Sequence, residues 1–485
     1  MTAADLDPSH CYAAVKAHDT RFDGVFFVGV TSTGVYCRPV CRVRTPLAKN
    51  CRFFAHAAAA EQAGFRPCLR CRPELAPGNA PSDAVSRLAQ RAAIRIREGA
   101  LQGDSLENLA AQMQVSSRQL RRAVEQEFGV SPIALAQTYR LLLAKQLLTE
   151  TSLKVVDIAF ASGYSSLRRF NDAFRRHYRL SPSDLRSQRG RQAAGEGVRL
   201  RLSYRPPLAW EALAGFLGSR SGGGLVSYDG ERFTGSLRTR SAVGWFSARD
   251  VPGQHHLEVH IAPALVPQIS QVVAQLRQLF DLDAHPQVVD AQLAGDPLLA
   301  PLVAATPGLR IPGTVDGFEL ALRAVLGQQV SVRAASTVFT RFVERFGEPL
   351  ETPLPGIERL PPDATAIAAA DVTELATLGL NRRRAETVWH LARLVAEGTF
   401  ELHPGTDVER TRAQLLAIPG IGPWTTDYIA MRALGDPDAM PQSDLGLMRA
   451  LGVDKPAGVH SAAQGWRPWR AYGAMHCWHC LASGG

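Results

Sequence analysis

Four cysteines fall into two close pairs, Cys37-x3-Cys41 and Cys68-x2-Cys71. Four thiolates at such spacing meet the tetrahedral preference of Zn2+. A structural zinc site also supplies folding energy that a segment of about 70 residues lacks on its own. Cys11 and Cys51 lie outside the pairs and read as ordinary buried residues. Cys477 and Cys480, in His476-Cys477-Trp478-His479-Cys480, sit three apart on a helical stretch and do not suggest a second metal. A different chemistry is written near residue 420. Pro419-Gly420-Ile421-Gly422 reads as a hairpin between two helices, and its glycines let the backbone approach a phosphate closely. Free N–H groups at the start of the next helix bind such a phosphate. Asp444 follows Trp424 by 20 residues and offers a carboxylate near that hairpin.

The elements that hold these residues must be spread over several domains, because 485 residues exceed one ordinary core. Hydrophobic residues make up 46% and charged residues 20%, the balance of a globular chain. No apolar run is long enough to span a membrane. The opening residues are acidic and polar, so no secretory signal is expected and a cytoplasmic setting follows. The net charge of +9 is unevenly placed. Residues 66–191 carry 21 Lys/Arg against 11 Asp/Glu, whereas 192–485 carry 26 against 29. A basic middle segment is the footprint of a nucleic-acid binder.

Two Pro/Gly-rich or polar stretches, 72–82 and 186–197, read as linkers. Between them a repeat appears at an offset of 50. Ser116, Arg118, Ala123, Ser131 and Pro132 recur as Ser166, Arg168, Ala173, Ser181 and Pro182. Each copy has an apolar helical face and a Ser-Pro turn, preceded by a shorter helix: Leu106 to Met113, then Val155 to Ala161. Asp104 and Glu107 have capping-box spacing, and Gly163 suits a tight turn. Helix, turn, basic helix is the helix-turn-helix pattern, whose second helix enters a major groove. Further on, Val198, Leu200 and Leu202, then Leu257, Val259 and Ile261, alternate with polar residues as half-buried strands. From about residue 315 the periodicity is helical.

These motifs carry three family resemblances. Phe27-Val-Gly-Val-Thr-Ser-Thr-Gly-Val-Tyr-Cys37-Arg-Pro-Val-Cys41, with Phe65-Arg-Pro-Cys68-Leu-Arg-Cys71, resembles the N-terminal domain of the Ada adaptive-response proteins. The resemblance implies that Cys37 is both a zinc ligand and an irreversible acceptor of a methyl group from a DNA methylphosphotriester. The repeated units resemble the AraC-type DNA-binding domain, which implies DNA-facing positions for Arg118, Gln119 and Arg122, and for Arg168, Arg169 and Asn171. The hairpin, spacer and Asp444 resemble the helix-hairpin-helix DNA glycosylases. With Leu279-Phe-Asp-Leu, Val325-Leu-Gly-Gln-Gln-Val-Ser331 and Trp466-Arg-Pro-Trp, residues from about 197 onward look like 3-methyladenine DNA glycosylase II of the AlkA type.

That last resemblance implies Asp444 as the catalytic carboxylate and Gly420 and Gly422 as the phosphate-binding hairpin. It implies a base pocket of Trp424, Tyr428 and Trp478. Where the family's best-known member carries an apolar wedge, this chain has Gln329, an amide that can still plug the gap and hydrogen-bond the orphaned partner base. The Pro-Cys-His-Arg motif of the alkylguanine methyltransferase domain does not occur, so O6-methylguanine repair is not expected.

The expected architecture is multidomain α+β. A zinc/methyl-acceptor domain would span 1–78, and an all-α double helix-turn-helix domain 83–188. An antiparallel β subdomain would span 197–305, and an all-α helix-hairpin-helix glycosylase domain 306–485. The expected function is a DNA alkylation-damage response. Methylated Cys37 switches on transcription, and the C-terminal half excises alkylated purines such as 3-methyladenine. A regulator with a non-catalytic glycosylase-like half is the alternative. Zn2+ is expected in the first domain and no cofactor for the glycosylase step. The expected partners are double-stranded DNA and RNA polymerase, with no membrane.

Overall fold

A small sheet gathers the cysteine pairs. In this computed structural model the described residues are 7–19, 22–73, 76, 87–187, 197–220 and 222–482. Strands β1 (Phe27–Val30), β2 (Val35–Cys37), β3 (Cys51–Phe54) and β4 (Arg66–Pro67) take the order β3-β1-β2-β4. β1 is antiparallel to β2 and β3, and β2 is parallel to β4. The parallel pairing ends β2 at Cys37 and β4 just before Cys68, whose N–H donates to the Tyr36 carbonyl at 2.9 Å. Helices α1 (Pro8–Ala17) and α2 (Ala57–Gln62) pack on this sheet.

The described residues from 87 to 187 form helices α3 (Arg87–Arg97), α4 (Leu106–Gln112), α5 (Ser117–Phe128), α6 (Pro132–Glu150), α7 (Val155–Ala161), α8 (Leu167–Tyr178) and α9 (Pro182–Ser187). The repeat is structural. Ser116 and Ser166 cap α5 and α8 through side-chain bonds to Gln119 N and Arg169 N, and Ser131 caps α6 through Ala134 N. Leu120, Val124 and Phe128 are buried in one copy, and Phe170, Phe174 and Tyr178 in the other. One local expectation is corrected. The cap of α4 is Ser105, whose Oγ accepts from Asn108 N, while Asp104 accepts from Ser105 N and the Asn108 amide. Serine one residue nearer the helix competes better for its free N–H groups. The interhelical turn takes a left-handed residue in both copies, Gln114 at φ 58° and Gly163 at φ 82°.

Strands β5 (Val198–Ser203), β6 (Val226–Tyr228), β7 (Arg232–Arg238), β8 (Val243–Asp250) and β9 (His256–Ile261) follow. The chain forms two compact units. One comprises 1–206, 251–277 and 282–285, and the other 207–250, 278–281 and 286–485. The first contains the antiparallel β5–β9 pair, with Val198, Leu200, Leu202, Leu257, Val259 and Ile261 buried as the alternation predicts. The second contains the antiparallel β6–β7–β8 meander and the remaining helices. The linker stretches 72–82 and 186–197 fall mostly outside the described residues. Among described residues, no helix is long and apolar enough to cross a membrane.

Candidate functional site

In the first unit the Sγ atoms of Cys37, Cys41, Cys68 and Cys71 all lie within 4.8 Å of one another. Hydrogen bonding with Cys41, then Cys68 and Cys71, pushes the Cys37 thiol up, while Cys37 and Cys41 pull Cys68 down. Such a donor set ionises as a group only around a divalent cation, so the residues fit Zn2+. Among the four sulfurs, Cys71 accepts from Arg38 N and Cys68 from Arg70 N, each at 3.4 Å. Arg38, next to Cys37, is paired with the Asp23 carboxylate and donates to the Cys71 carbonyl. Cys11 is buried and its thiol is pushed up to about 11 by burial and Asp7, while Cys51 is half-buried and its thiol is also raised by burial.

The same unit carries the two helix-turn-helix copies. Arg118, Gln119 and Arg122 are exposed on α5, and Arg168 and Arg169 on α8, with Asn171 half-buried. Gln119 is partly committed, because its Oε1 accepts from the Ser116 N–H and hydroxyl to close the capping box. α6, which joins the copies, is tied to the cysteine cluster. The buried Lys145 ammonium donates to the Cys68 carbonyl at 2.9 Å. Arg72, directly after Cys71, pairs with the buried Glu150 at 3.0 Å.

The second unit holds a cavity of about 1230 Å3. The helix Pro423–Arg432 forms one wall, and it starts from the hairpin. Gly420 has φ +93°, and an added Cβ would lie 2.1 Å from Thr387 Oγ1, so only glycine fits there. Gly422 is the N-cap, with φ −102° and no side chain to satisfy the free N–H groups behind it, and nothing lies within 4 Å of its Cβ position. An open, uncapped helix start of this kind leaves N–H groups able to take an anion.

Asp444 caps the helix Leu445–Ala450, its Oδ1 accepting from Leu447 N at 2.9 Å. It does more than cap. Trp478 Nε1 donates to Oδ1 and Trp424 Nε1 to Oδ2, each at 2.9 Å. A carboxylate offers about four lone-pair positions. Among the described residues three are taken, and the one left is on Oδ2. Gly446 keeps room for this arrangement, since a Cβ there would meet Oδ1 at 3.0 Å.

The Trp424 and Tyr428 rings stack at 5.3 Å and 10°, and the Trp478 ring lies 6.2 Å from Tyr428. Gln329 is exposed at the cavity mouth with φ +56°. Its neighbour Gln328 anchors it by donating to the Gly420 carbonyl and Thr425 Oγ1, while Arg384 donates to the Gln328 carbonyl. All four pocket positions expected from sequence therefore line one cavity with Asp444. Sequence reasoning missed Phe216, Arg220, Arg323 and Arg432, which also line it. Arg432 was within reach, because Trp424, Tyr428 and Arg432 recur at i, i+4 and i+8. The others come from distant segments with no local signal.

Four family models match: the metal binding domain of Ada over 10–74, a helix-turn-helix domain over 109–188, the AlkA N-terminal domain over 199–316, and the HhH-GPD superfamily base excision DNA repair protein over 322–457. A Mycobacterium tuberculosis protein named "Probable bifunctional transcriptional activator/DNA repair enzyme AlkA" is 40% identical, with 98% of this chain and 97% of that protein covered. Escherichia coli "DNA-3-methyladenine glycosylase 2" is 34% identical over 57% of this chain and 96% of its own length. A 3-methyladenine DNA glycosylase structure from Archaeoglobus fulgidus aligns with a TM-score of 0.52 at 22% identity, covering 58% of this chain and 99% of that one, a likeness of fold.

Proposed function

Because the chain belongs to the family of bifunctional transcriptional activator/DNA repair enzymes of the AlkA type, we propose two activities for it. Cys37 takes a methyl group from a DNA methylphosphotriester and thereby activates transcription. The second unit hydrolyses the N-glycosidic bond of alkylated purines such as 3-methyladenine. The partners are double-stranded DNA and, for activation, RNA polymerase.

In the first activity Cys37, Cys41, Cys68 and Cys71 hold Zn2+. Bound there, the ion keeps the sulfurs ionised at neutral pH. The Cys37 sulfur attacks the methyl carbon, an S–C bond forms, the C–O bond breaks, and the DNA phosphodiester leaves with its negative charge. Cys68 and Cys71 each accept a backbone N–H, which lowers their reactivity relative to Cys37. Methylation removes one negative charge from the cluster, so repulsion from DNA phosphates falls and binding tightens. The docking of Lys145 against Cys68 and of Arg72 against Glu150 supports such a link, because it ties the cluster to the helix joining the two helix-turn-helix copies.

In the second activity the hairpin N–H groups hold a backbone phosphate, the damaged base leaves the stack, and Gln329 occupies the gap. Bond breaking leaves positive charge on the sugar, and the free lone pair of Asp444 Oδ2 stabilises it. The base departs with the bonding electrons as the bond breaks, and water then adds to C1′ and gives up its proton to the Asp444 carboxylate or to solvent. None of these steps calls on a cofactor.

What carries the reading is the carboxylate of Asp444, oriented by two indole N–H groups at the edge of an aromatic cavity beside an uncapped helix start. Two experiments test it. The zinc-loaded protein, incubated with methylphosphotriester DNA, should gain one methyl group on Cys37 by peptide mass spectrometry and none in Cys37→Ala. Methylation elsewhere in Cys37→Ala would contradict the assignment. Alkylated duplex should release free methylpurine, and its absence would leave only the regulator.

A further inference from the structure

Beyond its aromatic rings the cavity ends in positive charge. Trp424, Tyr428 and Arg432 form one stripe on the helix Pro423–Arg432, successive members about 6 Å apart along the axis. Trp424 is the member bonded to Asp444, so the carboxylate and Arg432 mark opposite ends of the stripe. Arg220 and Arg323 line the cavity with Arg432. What holds these three arginines is mostly uncharged. Arg432 Nε donates to the Pro312 carbonyl at 2.7 Å, and its Nη1 to Tyr428 Oη at 2.6 Å. The Arg220 guanidinium lies 3.4 Å from the centre of the Phe216 ring and donates to the Phe216 carbonyl at 3.2 Å. The Arg323 guanidinium lies 3.5 Å from the centre of the Phe339 ring and donates to the Arg220 carbonyl at 2.6 Å.

Ring faces and carbonyls place a guanidinium without cancelling its charge. Among the described residues Glu319, 2.7 Å from Arg323, is the one carboxylate paired with any of the three. The inner end therefore keeps an excess of positive charge. Burial pulls the Arg220 guanidinium down from its ordinary range. Of its charged neighbours Tyr428 raises it, while Arg432 and Arg323 lower it further, as like charges pressed together do. The cavity is thus polarised along its length, negative at Asp444 and positive at the arginines.

A purine alkylated on a ring nitrogen, 3-methyladenine included, carries its positive charge on the base. As the bond from C1′ breaks, its electron pair goes to the base. The base becomes neutral and the sugar becomes positive. With the sugar at Asp444 the base points inward along the stripe, so positive charge moves from the arginine end to the carboxylate end. We infer that Arg220, with Arg323 and Arg432 beside it, accelerates bond breaking by driving positive charge off the base and towards the sugar. This rests on the glycosylase reading and adds residues to its reaction. The arginines repel the bound cation, and that repulsion is relieved in the transition state, where Asp444 gains its attraction. Stacking on Trp424 and Tyr428 offsets the repulsion while the base is bound.

The test follows single-turnover release of 3-methyladenine from methylated duplex, with the full-length protein in excess and its concentration varied. The plateau rate reports bond breaking, and the half-saturating concentration reports binding. Arg220→Met keeps a long side chain on the Phe216 ring and loses the charge. Its plateau should fall about fivefold, the effect of one charge acting across a base in a partly screened interior. Its half-saturating concentration should fall or hold, the pattern left when ground-state repulsion is removed. Arg220→Lys restores a positive charge and should recover most of the plateau. A wild-type plateau in folded Arg220→Met overturns the inference. So does a lower plateau with weaker binding that Arg220→Lys fails to restore, which is what a merely structural role produces. Absence of release by folded wild type instead overturns the glycosylase reading.

Discussion

Trp478 and Asp444 lie 34 residues apart and meet at 2.9 Å, the indole Nε1 donating to the carboxylate Oδ1. The ring is therefore both a cavity wall and an orienting donor. Trp478→Phe keeps an aromatic wall and loses the N–H. A hydrogen bond to a charged group contributes about 1.5–3 kcal/mol, so single-turnover methylpurine release should fall about 10- to 100-fold. Trp424→Phe should behave alike. A rate equal to wild type would mean that the carboxylate is held well enough without the indole.

Gly420→Ala places a side chain on a left-handed backbone and against Thr387 Oγ1, which is fixed by its bonds to the Pro419 and Arg383 carbonyls. The conformational cost alone is about 1–2 kcal/mol. The second unit should melt earlier and bind duplex DNA more weakly, with a shallower salt dependence as the phosphate contact is lost. Gly422→Ala meets no neighbour and should leave folding intact.

Two histidines, the half-buried His56 and the buried His476, set an acid limit. Burial, with His479 adding for His476, brings both down to about 4 in the folded chain. Unfolded histidine takes its proton near pH 6.5. Between about pH 6.5 and 4 the unfolded chain binds more protons, so stability falls as pH drops through that window and does not change further on this account above or below it. Denaturant midpoints measured across the window should decline, and less steeply in His56→Phe and His476→Phe. A flat profile would contradict the burial of both rings.

Much of this was legible in the sequence, for physical reasons. Cys37, Cys41, Cys68 and Cys71 are close in pairs, and metal chemistry allows few other readings of that spacing. The offset-50 repeat carried its capping serines and apolar faces into the structure nearly unchanged. The cavity lining was legible where one helix carries it, as with Trp424 and Tyr428, or where a motif marks the position, as with Asp444. The arginines that line the same cavity were not. Arg220 and Arg323 reach Tyr428 only through tertiary packing, and an arginine in a helix reads by default as a solvated face. The α4 cap was misread by one residue because Asp104 and Ser105 are both competent caps, and only the backbone path decides between them.

The central claim is that Asp444 does chemistry beyond capping a helix, and Asp444→Asn tests it most directly. The amide preserves size and still accepts from Leu447 N through its oxygen, but carries no charge to stabilise the sugar. Release of methylpurine from alkylated duplex under single-turnover conditions should drop at least about 100-fold, as removal of a key charge-stabilising group does, while the thermal midpoint and DNA affinity stay near wild type. Release within about threefold of wild type by folded Asp444→Asn would contradict the account, because an uncharged side chain would then be doing the same work.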